Sequence, residues 1–403
     1  MYNMCVKKAL IFTVIFSFIG ACIAPGISET LKNEGNQKMD DDISISSTMI
    51  NYELNKDEKI DLLSIDVGWQ WAKRAGGTGY DIGNSVSVDG NGNTYITGGF
   101  DDAVDFGSYS LTSQGGLDVF IAKLNSNGDW QWAKRAGGTS SDEGVGVSVD
   151  INGNTYITGY FKGTVDFGSY SLTSQGSFDV FIAKLNSNGD WQWAKRAGGT
   201  GSDRGDSISV DGNGNIYITG GFDNTLDVFI AKLDTNGDWQ WTKIAGGIDD
   251  DYGYGVSVDI NGNTYITGDF YDTVDFGTYS LTSQGSWDVF IAKLDTNGDW
   301  QWAKRAGGTG SDRGYGVSVD INGNTYITGH FKNTVDFGSY SLTSQGGLDV
   351  FIAKLNSNGD WQWAKRAGGT GYDIGNSVSV DINGNTYITG GFDDAADFGT
   401  YSL

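Results

Sequence analysis

The sequence predicts an all-β protein, a β-propeller of four-stranded blades, on three observations. Trp-Gln-Trp recurs six times in 403 residues, beginning at Trp69, Trp130, Trp191, Trp239, Trp300 and Trp361, with gaps of 61, 61, 48, 61 and 61 residues. The residues between these blocks are near-copies of one unit, and a unit of that length cannot bury its apolar face alone, so copies must stack. Glycine is abundant at 63 residues, against a single proline, Pro25, and aromatics recur at the same period. Glycine and aromatics at fixed spacing signal short strands joined by tight turns. No stretch beyond residue 30 carries a helical apolar period.

From the N-terminus, Lys7 and Lys8 precede an apolar run, Ala9 to Ala21, which reads as an export signal over residues 1–24 and is short for a membrane span. Ile19-Gly20-Ala21-Cys22 resembles a lipoprotein processing site, which would make Cys22 a lipid anchor; ordinary cleavage after Ala24 would discard it. Residues 25–57 are polar without apolar periodicity and read as a disordered tether. The propeller is expected over residues 58–403, with Ile60 to Ile65 as a strand. In the first full unit Asn84 to Asp89 is strand A, and Asn91-Gly92-Asn93 is a hairpin turn suited to positive φ. Thr94 to Phe100 is strand B and Asp118 to Leu124 is strand C. Asn125 to Asp129 is a second glycine turn, and Trp130 to Ala136 is strand D. The third unit lacks VDFGSYSLTSQG, so that stretch reads as an elaborated B–C loop. The two tryptophans of each block sit two apart, which places them on one strand face.

The array enters at a strand D and stops soon after a strand B, Thr386 to Phe392. The N-terminal WQWAKRA, with Ile60 to Ile65 as strand C, is expected to complete the sixth blade and close the ring, because closure removes exposed sheet edges. A truncated gene would instead imply seven or more blades.

The pattern DVFIAKL…NGDWQW…AGG…D.G.GVSVD.NGNTYITG resembles the SBBP β-propeller repeat of bacterial and archaeal surface proteins, and it recurs over residues 69–403. The resemblance implies an exported propeller. It implies no single activity, since function belongs to sites rather than folds.

Composition narrows the chemistry. A net charge of −24 argues against nucleic acid and anionic lipid as partners. Cys5 and Cys22 are the only cysteines and His330 the only histidine, so the body holds no disulfide framework, no Cys metal site and no repeated histidine base. Each unit contains Asp-x-Asn-Gly-Asn, as in Asp89/Asn91/Asn93 and Asp320/Asn322/Asn324. Oxygen ligands at alternate positions around a glycine suit calcium, but the closing bidentate acid is missing, and a plain hairpin turn accounts for every residue. The segment from Ser87 to Tyr95 also resembles the Asp-box of sialidase-type propellers, itself a structural hairpin. A sialidase would need converging arginines, whereas Arg74, Arg135, Arg196, Arg305 and Arg366 follow the repeat, and Arg204 and Arg313 read as loop residues. The chain is therefore expected to be a non-enzyme without a cofactor.

The copies differ mainly in the D–A connection and at the end of strand B, two places that share one face of a propeller. Loops on a rigid scaffold are where binding residues collect. The candidate contacts are Tyr80, Asp81, Tyr160, Asp251, Tyr252, Asp269, Tyr271 and His330. The expectation is a secreted or cell-surface binding or scaffold module with a glycan or protein ligand on that rim. A structural envelope protein with calcium-stabilised turns is the first alternative; a carbohydrate-active enzyme ranks behind it, because it would need a unique acidic pair in the central channel, against the near-symmetry of the repeats.

Overall fold

The computed structural model describes residues 70–222 and 227–402. The expected export signal, the tether, Ile60 to Ile65 and Trp69 lie outside these residues. All regular elements among the described residues are strands. Five antiparallel sheets follow one another, each in the order A–B–C–D. Blade 1 comprises Asp81–Val88, Thr94–Phe100, Asp118–Leu124 and Trp130–Ala136. Blade 2 comprises Glu143–Val149, Thr155–Phe161, Asp179–Leu185 and Trp191–Ala197. Blade 3 comprises Arg204–Val210, Ile216–Phe222, Asp227–Leu233 and Trp239–Ala245. Blade 4 comprises Asp251–Val258, Thr264–Phe270, Asp288–Leu294 and Trp300–Ala306. Blade 5 comprises Arg313–Val319, Thr325–Phe331, Asp349–Leu355 and Trp361–Ala367. The A strands of successive units lie beside one another.

The sixth unit is a two-stranded sheet, Ile374–Val380 with Thr386–Gly391. The expected completion by WQWAKRA is not found among the described residues, since residues 71–75 adopt no strand. In every full blade strand D pairs only with strand C, and the described residues of the sixth unit include no strand C. Tyr387 and Ile388 are exposed, whereas their counterparts Tyr95 and Ile96 are buried.

Alternation within strand C builds the core. In blade 2, Phe181, Ala183 and Leu185 pack against blade 1, while Val180 and Ile182 pack against blade 3. Each seam between neighbours is a separate apolar cluster, as stacked repeats require. The tryptophan pair departs from expectation. Leu124 pairs with Trp130 and Lys123 with Trp132, so a bulge at Gln131 puts the two indoles on opposite faces. Trp130 meets Phe106 edge-on at 5.0 Å, and Trp132 faces Tyr95 at 6.1 Å. Both are packing residues.

The stretch read as a loop is a β-hairpin. Ala103–Phe106 pairs with Tyr109–Thr112 around Gly107, which takes φ +64°. Its counterparts are Thr164–Phe167 with Tyr170–Thr173, Thr273–Phe276 with Tyr279–Thr282, and Thr334–Phe337 with Tyr340–Thr343. The alternation Val104, Asp105, Phe106 buries the two apolar side chains and leaves the acid outside. This hairpin also clasps the connector arriving from the preceding blade, as Gly137 and Asp166 exchange backbone hydrogen bonds of 3.3 and 3.2 Å. A Cβ on Gly138 would lie 1.8 Å from the Thr164 carbonyl oxygen, so no side chain fits there. Gly199, which leads into the blade without this stretch, would meet nothing within 4 Å.

Two buried carboxylates secure each of the connections that leave blades 1, 2, 4 and 5. Asp118 at the start of strand C is ion-paired with Arg135 of strand D, and Asp179–Arg196, Asp288–Arg305 and Asp349–Arg366 repeat the pair. The second carboxylate ends the connector. Asp142 Oδ2 accepts the Gly138 N–H at 2.9 Å, and its Oδ1 accepts the Lys162 N–H at 3.1 Å. Asp312 does the same with Gly308 and Lys332 at 2.9 and 3.0 Å. Burial pushes the carboxyls of Asp142 and Asp312 up to about 7 and that of Asp251 up to about 8.

Two outcomes follow. Arg305→Ala leaves the buried Asp288 carboxylate without its cation, and urea unfolding should show a loss of about 3 kcal/mol. The raised connector carboxyls hold their protons better folded than unfolded, so their contribution is full below the unfolded value of 3.8 and is lost as pH climbs through 7 to 8. Calorimetry should find a melting temperature that falls between pH 5 and pH 8.5; a rise across that window would contradict these burial assignments.

Candidate functional site

Each connector ends in Asp-x-Gly-y, where the aspartate is structural and x and y open strand A. Asp81 belongs to this structural set, because its Oδ2 accepts the Gly77 N–H at 2.7 Å. Asp251 occupies the same position in blade 4 and is 0 % exposed. Asp81 thus serves its connector while remaining partly exposed, and Asp251 offers no surface to a ligand.

The x and y positions produce a continuous row of rings where blades 4 and 5 meet. Tyr252 and Tyr254 of blade 4 lie parallel, 5.7 Å apart with an interplanar angle of 4°. Trp287, the residue before strand C, stands 5.5 Å from Tyr252 and 5.9 Å from Tyr271. On the other side Tyr254 meets Tyr315 of blade 5 at 5.2 Å, and Tyr315 meets His330 at 5.4 Å. Arg313 reaches back from blade 5 across the seam. Its guanidinium lies 5.1 Å over the Trp287 ring, and its Nη1 donates to the Tyr254 hydroxyl at 3.5 Å. Its Nε is 3.1 Å from Asp269 Oδ2, an ion pair out of line for a hydrogen bond.

Exposure is graded along this row. Tyr271 is 40 % exposed, Trp287 and Tyr252 are half-buried, His330 is 5 % exposed and Asp269 is 0 % exposed. Burial pushes the Asp269 carboxyl up to about 7, while Arg313 pulls it back toward the charged form. Burial and the neighbouring Arg313 charge push His330 down to about 4, so its imidazole is neutral at physiological pH. The outer rings are thus accessible for stacking. A cation lies over one ring, and a buried carboxylate fixes that cation from below.

The seam between blades 2 and 3 fills the equivalent positions differently. The Tyr160 hydroxyl donates to Glu143, and its ring carries Arg204 at 4.6 Å and meets Phe178 edge-on at 5.3 Å. Arg204 also lies 3.6 Å from Asp206, whose carboxyl burial pushes up to about 6. Tyr80, 61 % exposed, belongs to neither cluster. Of the eight expected contacts, the structure brings together Tyr252, Asp269, Tyr271 and His330, and places Tyr160 in a second group. Sequence reasoning missed Tyr254, Tyr315, Trp287 and Arg313. The signal was present at the y position, which reads Asn84, Val145, Asp206, Tyr254, Tyr315 and Asn376, and before strand C, where Leu117, Phe178, Trp287 and Leu348 differ. Arg204 and Arg313 open strand A rather than lying in loops, and each crosses a seam.

On the opposite face the Asp-x-Asn-Gly-Asn turns close on themselves. Asp89 Oδ1 accepts the Asn91 and Asn93 amides at 2.9 and 3.0 Å, and Oδ2 accepts Asn93 Nδ2 and the Tyr95 hydroxyl at 2.8 and 3.1 Å. Both oxygens hold two donors each, which a calcium ion would have to displace. The Asp150, Asp211, Asp259, Asp320 and Asp381 turns repeat these bonds.

Comparison with known proteins agrees with this architecture. A WD repeat-containing protein of Acanthamoeba polyphaga mimivirus is 23 % identical over 273 residues, covering 62 % of this chain and 17 % of the relative. The regulatory protein FlaEY of Caulobacter vibrioides is 27 % identical over 142 residues, covering 33 % of this chain and 15 % of the relative. The chain thus spans about a sixth of the length of these relatives. Among solved structures, the WD40 domain of Neurospora crassa Pan2 is similar at a TM-score of 0.37 and 10 % identity, covering 76 % of this chain and 88 % of that one. The family model for the SBBP β-propeller repeat matches residues 70–98, 131–160, 192–220, 240–269, 301–330 and 362–390. Each match runs through a connector and the A and B strands that follow it, and the chain belongs to the SBBP β-propeller repeat family.

Proposed function

We infer that the chain is an exported, non-catalytic β-propeller at the cell surface, a scaffold whose D–A/B–C face captures a protein ligand. The observation that carries this reading is the ring row at the seam of blades 4 and 5. Tyr, Trp and Arg dominate binding energy where proteins meet, because they bury large area and lose little conformational freedom. Here Tyr271, Trp287 and Tyr252 are packed against one another, with Arg313 held in place by Asp269. Such a patch is organised before the ligand arrives, which lowers the ordering cost of binding. The other seams carry different residues at these positions, so this patch suits one particular partner. Export rests on the charged and apolar opening of the sequence, and the net charge of −24 disfavours nucleic acid.

Panning a random-peptide display library against the full chain should select ligands whose affinity drops at least ten-fold with Trp287→Ala and is unchanged by Tyr80→Ala. Ten-fold is about 1.4 kcal/mol, within the range of an interface anchor. Peptides indifferent to Trp287 would overturn the protein reading. Ring-dependent binding on a glycan array, with no peptide selected, would replace the protein ligand by a glycan. The alternative role, an envelope protein whose turns need calcium, meets carboxylates already filled by N–H and O–H donors. Chelation should therefore leave the melting temperature unchanged, and a drop of several degrees would restore that alternative.

A further inference from the structure

The face opposite the ring row behaves differently between copies. The D–A rim differs from blade to blade; on the A–B/C–D turn face some exposed positions differ too, such as Gly90, Ile151 and Gly212, but two exposed polar positions do not. Gln131, Gln192, Gln240, Gln301 and Gln362 open every D strand after its first tryptophan, and Asn127, Asn188, Asn236, Asn297 and Asn358 sit in every C–D turn. The glutamines are exposed, and each donates its Nε2 to the carbonyl of the aspartate that closes the C–D turn. These glutamines and asparagines therefore place the same polar groups at every seam on this face.

A cavity of about 300 Å³ lies on that side between blades 4 and 5, lined by Asn263, Lys293, Asp295, Gln301, Trp302, Ser357 and Asn358. Its wall is rigid. The Trp302 indole N–H donates to the Ser357 carbonyl of the next blade at 3.4 Å, and a Cβ on Gly359 would come within 2.8 Å of that ring. The polar groups are only partly spent. Asn263 Nδ2 donates to Asp259 at 2.8 Å, leaving its carbonyl oxygen as an acceptor. Gln301 Nε2 donates to Asp295 Oδ2 at 3.2 Å and to the Asp299 carbonyl at 3.0 Å, leaving its Oε1. Lys293 stands 5.1 Å over the Tyr265 ring, half-buried, with no carboxylate in ion-pair range among the described residues. Burial lowers its pKa, as expected of an ammonium group short of acceptors.

Donors and acceptors alternate around one indole wall. Each hydroxyl of a sugar both donates and accepts, so this lining matches a polyhydroxylated ring. At this seam the Asp295 carboxylate disfavours an anion, as Asp234 does between blades 3 and 4, while Asn125 and Asn186 fill that position in blades 1 and 2; the charged groups disfavour an apolar molecule. The same walls recur. The indole of Trp132 donates to Ser187 at 3.3 Å, that of Trp193 to Thr235 at 3.4 Å and that of Trp241 to Thr296 at 3.1 Å. Lys123, Lys184 and Lys232 stand over Tyr95, Tyr156 and Tyr217 at 5.0, 5.1 and 5.2 Å.

We propose that the four seams joining blades 1 to 5 form similar, not identical, sites on the A–B/C–D turn face for single hexose units of a neutral repeating glycan; between blades 2 and 3 the Lys184 Nζ already donates to the Thr235 carbonyl at 3.2 Å. Each site alone is shallow and weak. Linked sites on one rigid face gain about 10²- to 10⁴-fold from effective concentration when the ligand repeats.

The test titrates the full chain with soluble neutral hexose polymers (a β-1,3-glucan, an α-1,6-glucan and a mannan), with the corresponding free hexoses and with an anionic uronic-acid polymer. At least one neutral polymer should bind on the order of 10²-fold more tightly than its free hexose. Combining Gln131→Ala, Gln192→Ala, Gln240→Ala and Gln301→Ala should remove that gain with the melting temperature unchanged, since these side chains are exposed. Lys293→Met, at a single seam, should weaken polymer binding by roughly a few-fold. Trp287→Ala on the other rim should leave polymer binding untouched, which separates this proposal from the protein-ligand reading. Binding of no neutral polymer, preference for the anionic polymer, or binding indifferent to the glutamines would each overturn it.

Discussion

Every four-stranded sheet among the described residues has two apolar faces and can hide them only against its neighbours. Phe181, Ala183 and Leu185 must look back to one blade while Val180 and Ile182 look forward to the next. Stability is then a sum over seams, as in other repeat arrays. The polar apparatus follows from the same constraint. Where a connector crosses from one blade to the next, its amides leave the sheet and need partners, and the Asp142 and Asp312 carboxylates and the hairpin backbone supply them. Glycine stands at Gly138 because a strand passes where a side chain would go.

That division of labour decides which residues are free to vary. In Asp-x-Gly-y the aspartate bonds the connector and the glycine lies under a neighbouring strand, so only x and y can change without structural cost. Those positions meet the residue before strand C across one seam. Substituting them in one blade therefore builds a patch between two blades, as Tyr252, Tyr254 and Trp287 do with Arg313 and Tyr315. At the opposite face the turn aspartates hold four donors each and tolerate no such freedom.

Strands B, C and D are legible to the residue, because each is a short run rich in apolar and β-forming residues with a glycine turn at one end or both. Three features escaped, each for a physical reason. The hairpin Ala103–Phe106 with Tyr109–Thr112 is only four residues a side and looks like a loop until Val104 and Phe106 are seen to be buried. The tryptophan pair was assigned to one face because spacing alone assumes unbroken parity, and the bulge at Gln131 breaks it. The ring row was half visible. Tyr252, Asp269, Tyr271 and His330 stood out as differences between copies, but Arg313 belongs to the following unit, and its reach across the seam appears only when two units are packed. Burial was invisible as well, and it separates Asp269 and Asp251 from the rings that face solvent.

Each unit carries both halves of its seam, a forward surface and a backward one, and these recur in near-identical form along the chain. Copy number is therefore uncoupled from the fit between copies. An in-frame duplication or deletion of 61 residues joins a forward surface to a backward surface of the same kind and creates no unmatched junction. Near-identical repeats in a gene recombine readily, so a lineage can lengthen or shorten the array in a single genetic event. The 48-residue spacing shows that a unit can also shed its hairpin and still carry the next one. Such an architecture can change how many units it displays without changing what each unit contains.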